Sequence, residues 1–423
     1  MFKSFFPSPK LFFASAVAWC IFVGALWFGI LDSWKLALDF FQSLAPTGVG
    51  PDGRPPFITA DRLYIYVFLI VCGVGFAGIW EFFTDHPWRR WSVWGSVIIG
   101  LASYFNVQFD VYINAWYGSF FDLIQVALSK TRVVTGAEYY GLLFSITWVL
   151  VLNIIGLVLL AFYTQHYVFR WRTAMNNYYV AHWKKLRKIE GASQRVQDDT
   201  MRFARGLQNL GNEFISSMMT LIAFLPLLWV LSRQVTELPL IGKIDGSMVF
   251  VALLSASFGT ILLALVGIRL PGLEFRNQRV EAAYRKELVY GEDHDDRAEP
   301  ATLTELFEGV RKNYFRLYFN YMYFNVAKYA YLQGTNFVPW FALGPTVIAG
   351  TITFGFFQQI NQAFDQVDRS FRFFATSWSD IVEMISIYKR LRAFESSIEG
   401  EELSSIEKPF IDSTTTEIAQ SEL

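Results

Sequence analysis

Long charge-free stretches set the first constraint on this chain. Nothing is charged from Leu11 to Leu31, Leu63 to Trp80, Ser92 to Phe109, Tyr139 to Gln165, Phe214 to Ser232, or Gly246 to Ile268. Each comes close to, or exceeds, the roughly 20 apolar residues that carry a helix across a bilayer. Between Leu317 and Phe364 the only charge is Lys328. That stretch is long enough for one crossing and the start of another, with Ala349 to Gly355 as the natural turn. The chain is 53% hydrophobic and only 17% charged, where a soluble domain carries about 25% charge. The expectation is an all-α, polytopic membrane protein with about eight transmembrane helices.

The distribution of charge gives an orientation. With the N-terminus in the cytoplasm, Arg89, Arg90, the run Arg170, Arg172, Lys184, Lys185, Arg187, Lys188, and the cluster Lys389, Arg390, Arg392 all fall inside. The opposite loops hold fewer cations: Lys35, Arg54, Arg62, Lys130, Arg132, Arg233 and Lys243. Cytoplasmic loops rich in Lys and Arg are the usual asymmetry. The first apolar segment reads as an uncleaved anchor, because no small-x-small cleavage site follows it. The piece from Trp34 to Leu44 is amphipathic and reads as interfacial; Pro46 to Pro56 reads as an irregular external loop. The helix through Gln165 is expected to overshoot the membrane, with Gly191 as its first break. Gly291 to Pro300 reads as a charged loop. The tail after Glu395 is acidic and Ser/Thr-rich, a composition of disorder. Cys20 and Cys72 both lie in apolar segments and predict neither a disulfide framework nor a metal site.

Polar stripes mark where chemistry would sit. Gln358, Asn361, Asp365, Asp368, Arg372, Thr376, Ser379 and Glu383 recur at steps of three or four, so they share one helix face. Arg369 and Asp380 fall off that stripe. On the helix that returns to the membrane, Arg202, Arg205, Asn209, Asn212, Ser216 and Thr220 form a second stripe, with Glu213 beside it. Glu274, Gln278, Glu281 and Arg285 share a third face. Polar residues inside a membrane face either a water-filled path or a neighbouring helix, and the cavity-lining reading is favoured for the last stripe-bearing helix. Trp116, Tyr117, Phe120 and Phe121 cluster near the external edge, as a substrate surface or as an interfacial belt. His86, His166, His182 and His294 are dispersed, without ligand spacing. Glu190, Asp198 and Asp199 are expected to cap helices or to pair with Arg195.

The pattern of long helices with two cytoplasmic reversals resembles the transmembrane half of an ABC exporter. It is closer to the SbmA/BacA peptide transporters. The resemblance rests on the opening Met1-Phe2-Lys3-Ser4-Phe5-Phe6-Pro7 and on Asn114-Ala115-Trp116-Tyr117. It also rests on the stretch from His166 to Asn176, on Glu190-Gly191-Ala192, on Gln194-Arg195-Val196-Gln197, and on Leu270-Pro271-Gly272-Leu273-Glu274-Phe275. The run from Asn277 to Asp293, with Val280-Glu281-Ala282-Ala283-Tyr284 inside it, is especially specific, as is Ser386-Ile387-Tyr388-Lys389-Arg390-Leu391-Arg392. The resemblance spans nearly the whole chain. It implies three regions: an N-terminal helix pair with its external loop over 1–91, an exporter-like transmembrane body over 92–395, and a tail over 396–423. It further implies a homodimer in the bacterial inner membrane that imports peptides and peptide-like antibiotics by alternating access, driven by protons.

Coupling to protons needs carboxylates whose pKa is raised toward neutrality. The candidates are Glu213, Glu274, Glu281, Glu287, Glu292 and Glu383, with Asp365 and Asp368 at membrane depth. Gln358, Asn361, Asp365, Asp368, Arg372, Asn209, Asn212 and Ser216 are the candidate cavity lining. Many members of the resembled family carry an acid at the position of Gln208. An amide cannot titrate, and Glu213 is the candidate substitute. No G-x-x-x-x-G-K-[ST] occurs, so energy is expected from an ion gradient or from a separate ATPase chain serving an ABC half-transporter. No nucleophile–base or metal constellation favours a lipid-modifying enzyme, and a membrane scaffold is the remaining reading. No cofactor, metal or nucleic-acid partner is expected; the expected partners are peptides, protons, lipid and a second copy.

Overall fold

The computed structural model describes residues 1–29, 58–187, 192–239, 242–293 and 298–399. The amphipathic piece at Trp34, the external loop, the break at Gly191, Glu190, His294 and the tail from Gly400 lie outside them; the first tail residues, 396–399, are helical rather than disordered. The described residues are overwhelmingly helical. In chain order the helices are α1 (Phe2–Phe5), α2 (Pro9–Gly29), α3 (Ala60–Phe83), α4 (Gly95–Ser129), α5 (Gly136–Ser145) and α6 (Thr147–Ala181). They continue with α7 (Thr200–Ser232), α8 (Ser247–Gly267), α9 (Leu270–Asp293), α10 (Pro300–Thr335), α11 (Val338–Ala342), α12 (Gly344–Ile348), α13 (Phe354–Thr376) and α14 (Trp378–Glu399).

Among the described residues, six spans are long and apolar enough to cross a membrane: Pro9–Trp27, Arg62–Phe83, Arg90–Ser129, Gly136–Ala181, Ala192–Ser232 and Ser247–Glu274. Each overlaps one of the six charge-free blocks of the sequence, and Arg90–Ser129, Gly136–Ala181 and Ala192–Ser232 run well beyond theirs. The sequence expectation is about eight; the stretches expected to supply the other two form the helices α10 and α13, which are long but too polar to count among the apolar spans. The turn between them falls where the sequence puts it, and Gly350 takes a φ of +64° there. The overshooting helix is also as expected, since α6 reaches Ala181 and helical turns continue to Leu186. The expected loop from Gly291 is shorter than the sequence implies. Gly291 and Glu292 still belong to α9, and the next helix starts at Pro300. Proline at a first helical position sacrifices no intrahelical hydrogen bond.

Local sequence fixes the ends. Thr59 caps α3 by accepting the Arg62 amide at 3.3 Å, and Thr135 caps α5 by accepting the Glu138 amide at 3.2 Å. Hydroxyl caps of this kind satisfy amides that have no partner inside the helix. Pro226 lies within α7 without ending it.

The described chain divides into two compact units. The first comprises Met1–Ala223, Phe354–Gln359 and Glu383–Leu423. Its core is aromatic. Phe5 stacks on Trp171 at 5.4 Å, and Phe6 meets the same ring edge-on at 4.9 Å. Phe203 and Phe394 are fully buried in this cluster with Tyr179. Each such ring contributes about 1.5–3 kcal/mol through burial, so the short helix α1 is held by its phenylalanines. Asp199 is buried here and takes a two-pronged bond from Arg390 at 2.9 and 3.2 Å, while Asp198 pairs with Arg202 at 3.2 Å. The partners of these two acids are thus Arg390 and Arg202 rather than Arg195, whose guanidinium lies over Phe394 at 5.7 Å.

The second unit comprises Phe224–Thr353 and Ile360–Val382. Here α9 and α10 run as a hairpin, pinned by a buried bond from Asn313 to Asn277 at 3.2 Å. Tyr331 of α10 lies against Gly259 of α8 and donates its hydroxyl to the Ser255 carbonyl at 3.1 Å. Gly246 opens α8 with a φ of +70°, where a side chain would strike Trp229.

Candidate functional site

In the second unit the stripe of α13 centres on a buried ion pair. Asp368 is 1% exposed and Arg372 9% exposed. They face each other one turn apart, at 2.8 Å. Arg372 also reaches the Thr335 hydroxyl at 3.5 Å and sits 5.6 Å from the centre of the Tyr331 ring. Asp365 pairs instead with the exposed Arg369 at 3.4 Å. Three buried polar atoms of the stripe have no hydrogen-bond partner: Asn361 Oδ1, Asp368 Oδ1 and Arg372 Nε. A buried charge with incomplete pairing is costly, which makes it a candidate for a group that changes partners. The electrostatic balance here rests on Arg372 against Asp368, with Asp365 and Arg369 one turn away.

The first unit carries the other predicted stripe. On α7, Arg202, Arg205, Asn209, Asn212, Glu213 and Ser216 are exposed, whereas Thr220, expected on the same stripe, is buried, as are Phe203 and Ala204. Between Arg202 and Ser216 the polar residues thus face outward, in company with the exposed Phe214. Gln358 is half-buried, and Glu383 is exposed at the start of the α14 portion of this unit.

The remaining candidates lie on α9 in the second unit. Glu274, Glu281 and Glu287 are half-buried there, and Glu292 is exposed in its last turn. Glu287 accepts the Ala298 amide at 3.2 Å. That bond steadies a position whose φ is +56°, so Glu287 has a structural task.

One polar face escaped the sequence reading. On α4, Ser103, Asn106, Asp110, Asn114, Gly118 and Asp122 share a side. Its outer half grips the start of α13 within the first unit. Asn114 donates to the Gln359 carbonyl at 2.9 Å, Asp122 accepts the Gly355 amide at 2.8 Å, and Gln125 accepts the Phe354 amide at 2.7 Å. Gly118 and Gly355 let the two backbones touch. Asp110 lies mid-helix in a membrane span, and among the described residues it has no ion pair or hydrogen bond. Its signal was present in the sequence as the spacing Asn106, Asp110, Asn114.

The aromatic cluster packs along α4 rather than presenting a flat surface. Trp116 stacks on Phe120 at 4.6 Å and Tyr117 on Phe121 at 5.7 Å, and the Trp116 indole donates to the Leu142 carbonyl at 3.0 Å. His86 sits outside the spans against the Lys3 carbonyl at 3.3 Å, and burial pushes its pKa down. Among the described residues no group of acids, cysteines and histidines is arranged to hold a metal.

The sequence profile of the SbmA/BacA-like family matches residues 85–399. The chain belongs to the SbmA/BacA-like family. It is accordingly a multi-pass membrane protein. The family region takes in both stripes, the buried pair and the α4 face.

Three relatives are longer proteins. The chain is 26% identical over 326 residues to the inner membrane ABC transporter ATP-binding protein YddA of Escherichia coli, covering 72% of this chain and 57% of that protein. It is 24% identical over 254 residues to an uncharacterized ABC transporter ATP-binding protein of Synechocystis, covering 58% of this chain and 36% of the relative. A third, from Haemophilus influenzae and similarly named, is 22% identical over 268 residues, with 59% of this chain and 45% of the relative covered. The chain thus spans about half the length of the curated relatives it matches.

Proposed function

We propose that this SbmA/BacA-like protein imports peptides and peptide-like antibiotics across a bacterial inner membrane, as a homodimer, using the proton gradient. The observation that carries this reading is the outward-facing polar stripe of α7. Asn209, Asn212, Glu213 and Ser216 are exposed on a helix within a span long and apolar enough to cross the bilayer. A polar face turned to hydrocarbon would be heavily penalised. Water in a vestibule closed by a second copy removes that penalty. Peptide would enter from the outer side, and protonation of carboxylates such as Glu213, Glu274, Glu281 and Glu383 would bias the switch between outward-open and inward-open forms. The Asp368–Arg372 pair supplies a buried partner exchange for such a switch.

A second reading has its own support, the names of the relatives as ATP-binding proteins. In it, the same membrane body is driven by an ATPase outside the sequence described. Reconstitution separates the two. Peptide uptake into vesicles that follows an imposed pH gradient, and collapses with a protonophore, supports proton coupling. Uptake that needs ATP and an added ATPase, and ignores the pH gradient, would replace it.

A further inference from the structure

Between the end of α3 and the start of α4 the first unit has an open groove of about 540 Å³, lined by Glu81, Arg90, Trp91, Trp94, Ile98 and Tyr163. It lies at the adjoining ends of the apolar spans Arg62–Phe83 and Arg90–Ser129. Its floor and its rim differ in chemistry. The rings of Trp91 and Tyr163 stack at 5.9 Å, and the Arg170 guanidinium lies 3.7 Å above Trp91. Arg170 is steadied by His166, at 3.3 Å. Ile98, 43% exposed, continues the wall toward the apolar part of the span.

The charges leave one cation over. Glu81 is already held by Arg89 at 2.8 Å and by the Trp94 indole at 3.3 Å. Asp85 is taken by the same Arg89 at 3.0 Å. Arg90 is 84% exposed and comes no nearer to Glu81 than 3.9 Å. Three arginines (Arg89, Arg90, Arg170) face two carboxylates (Glu81, Asp85), so the rim is positive by one.

We propose that this groove holds the headgroup of an anionic phospholipid. The phosphate would lie on Arg90, the glycerol would rest on Trp91 and Tyr163, and the acyl chains would leave over Ile98. Three features select this occupant: its position at the adjoining ends of two apolar spans, its surplus guanidinium and its apolar exit. Basic pockets between membrane helices on the positive side take such headgroups, and an arginine fork matches phosphate oxygens. A zwitterionic lipid would bring its own cation to a rim already in excess. A free phosphate would leave the Ile98 wall wet.

Native mass spectrometry of the purified full chain tests this, after detergent delipidation and incubation with phosphatidylglycerol or phosphatidylcholine of equal chain length. The wild type should retain phosphatidylglycerol in preference. Arg90→Gln should weaken that retention about fivefold, the factor one basic side chain contributes near an anionic membrane surface. Arg132→Gln, an exposed charge at the other end of α4, should change nothing. Equal retention of the two lipids, or an undiminished preference in Arg90→Gln, would overturn the proposal. So would displacement of the lipid by inorganic phosphate at millimolar concentration, which would make the site one for a free anion. Arg90 projects from the surface, so the variant folds; an unchanged melting profile confirms it.

Discussion

Removing Arg372 while leaving Asp368 in place is the perturbation whose outcome the structure constrains most. The two side chains are 2.8 Å apart, and Asp368 is 1% exposed. One carboxylate oxygen of Asp368 has no hydrogen-bond partner even with Arg372 present. Arg372→Met therefore leaves a buried, uncompensated charge. The cost of breaking such a pair from one side is about 3–5 kcal/mol. Ordinary polar contacts between membrane helices are worth only about 0.6 kcal/mol on average, so the two descriptions are separable. Asp368→Leu should cost less than Arg372→Met, because Arg372 keeps Thr335 and the Tyr331 ring. The double variant Asp368→Leu/Arg372→Met removes both charges and should recover most of the loss, since apolar replacement of a buried pair is often neutral or stabilising by about 1–4 kcal/mol. The assay is reversible unfolding in mixed micelles for wild type, both single variants and the double, read as a double-mutant cycle. A coupling energy below about 1 kcal/mol, or a double variant as unstable as the sum of the singles, would mean that Asp368 and Arg372 do not depend on each other. Transport by the double variant then separates roles. A stable but inactive double assigns the pair to the transport cycle, and a stable, active one assigns it to the scaffold.

Other consequences follow from single contacts. Glu213→Gln and Glu281→Gln should each lower proton-driven uptake in vesicles without loss of folded protein; unchanged uptake in both removes these residues from the mechanism. Gly259→Ala places a methyl against the Tyr331 ring and should cost about 1–3 kcal/mol by overpacking, measured in the same micelle unfolding. Asp122→Ala strands the Gly355 amide at the start of α13 and should cost about 0.5–2 kcal/mol, the usual value of a lost helix cap, whereas Asp122→Asn should restore most of it.

Much of the fold was legible because membrane insertion is written in long, uniform patterns. The charge-free blocks located all six apolar spans, though Arg90–Ser129, Gly136–Ala181 and Ala192–Ser232 run far beyond their blocks, and the overshoot of α6 followed from the absence of Gly and Pro between Ala161 and Ile189. Helical phase likewise put Asn209, Asn212 and Ser216 on one face. What phase cannot supply is the identity of the neighbour. The same spacing on α13 places Asp365 against an exposed arginine and Asp368 in a closed pair, because burial depends on α8 and α10, far away in sequence. Asp198 and Asp199 show the same limit, since Arg390 arrives from nearly two hundred residues later. Asp110 was missed for a different reason. Reading the chain as charge-free blocks ends a segment at Phe109, where the helix itself runs on to Ser129.

A vestibule closed by a second copy requires the polar face of α7 to be wet within the membrane. That requirement is tested most directly by cysteine accessibility. With Cys20 and Cys72 replaced by serine, single cysteines at Asn209, Asn212 and Ser216 are exposed in intact vesicles to a membrane-impermeant thiol reagent, which attacks only the hydrated thiolate. Leu254, 68% exposed on the apolar α8, provides the lipid-facing comparison. A wet face gives rapid labelling at all three α7 positions, slowed by bound peptide, and negligible labelling at Leu254→Cys. Labelling at the α7 positions as slow as at Leu254, with or without peptide, would contradict it.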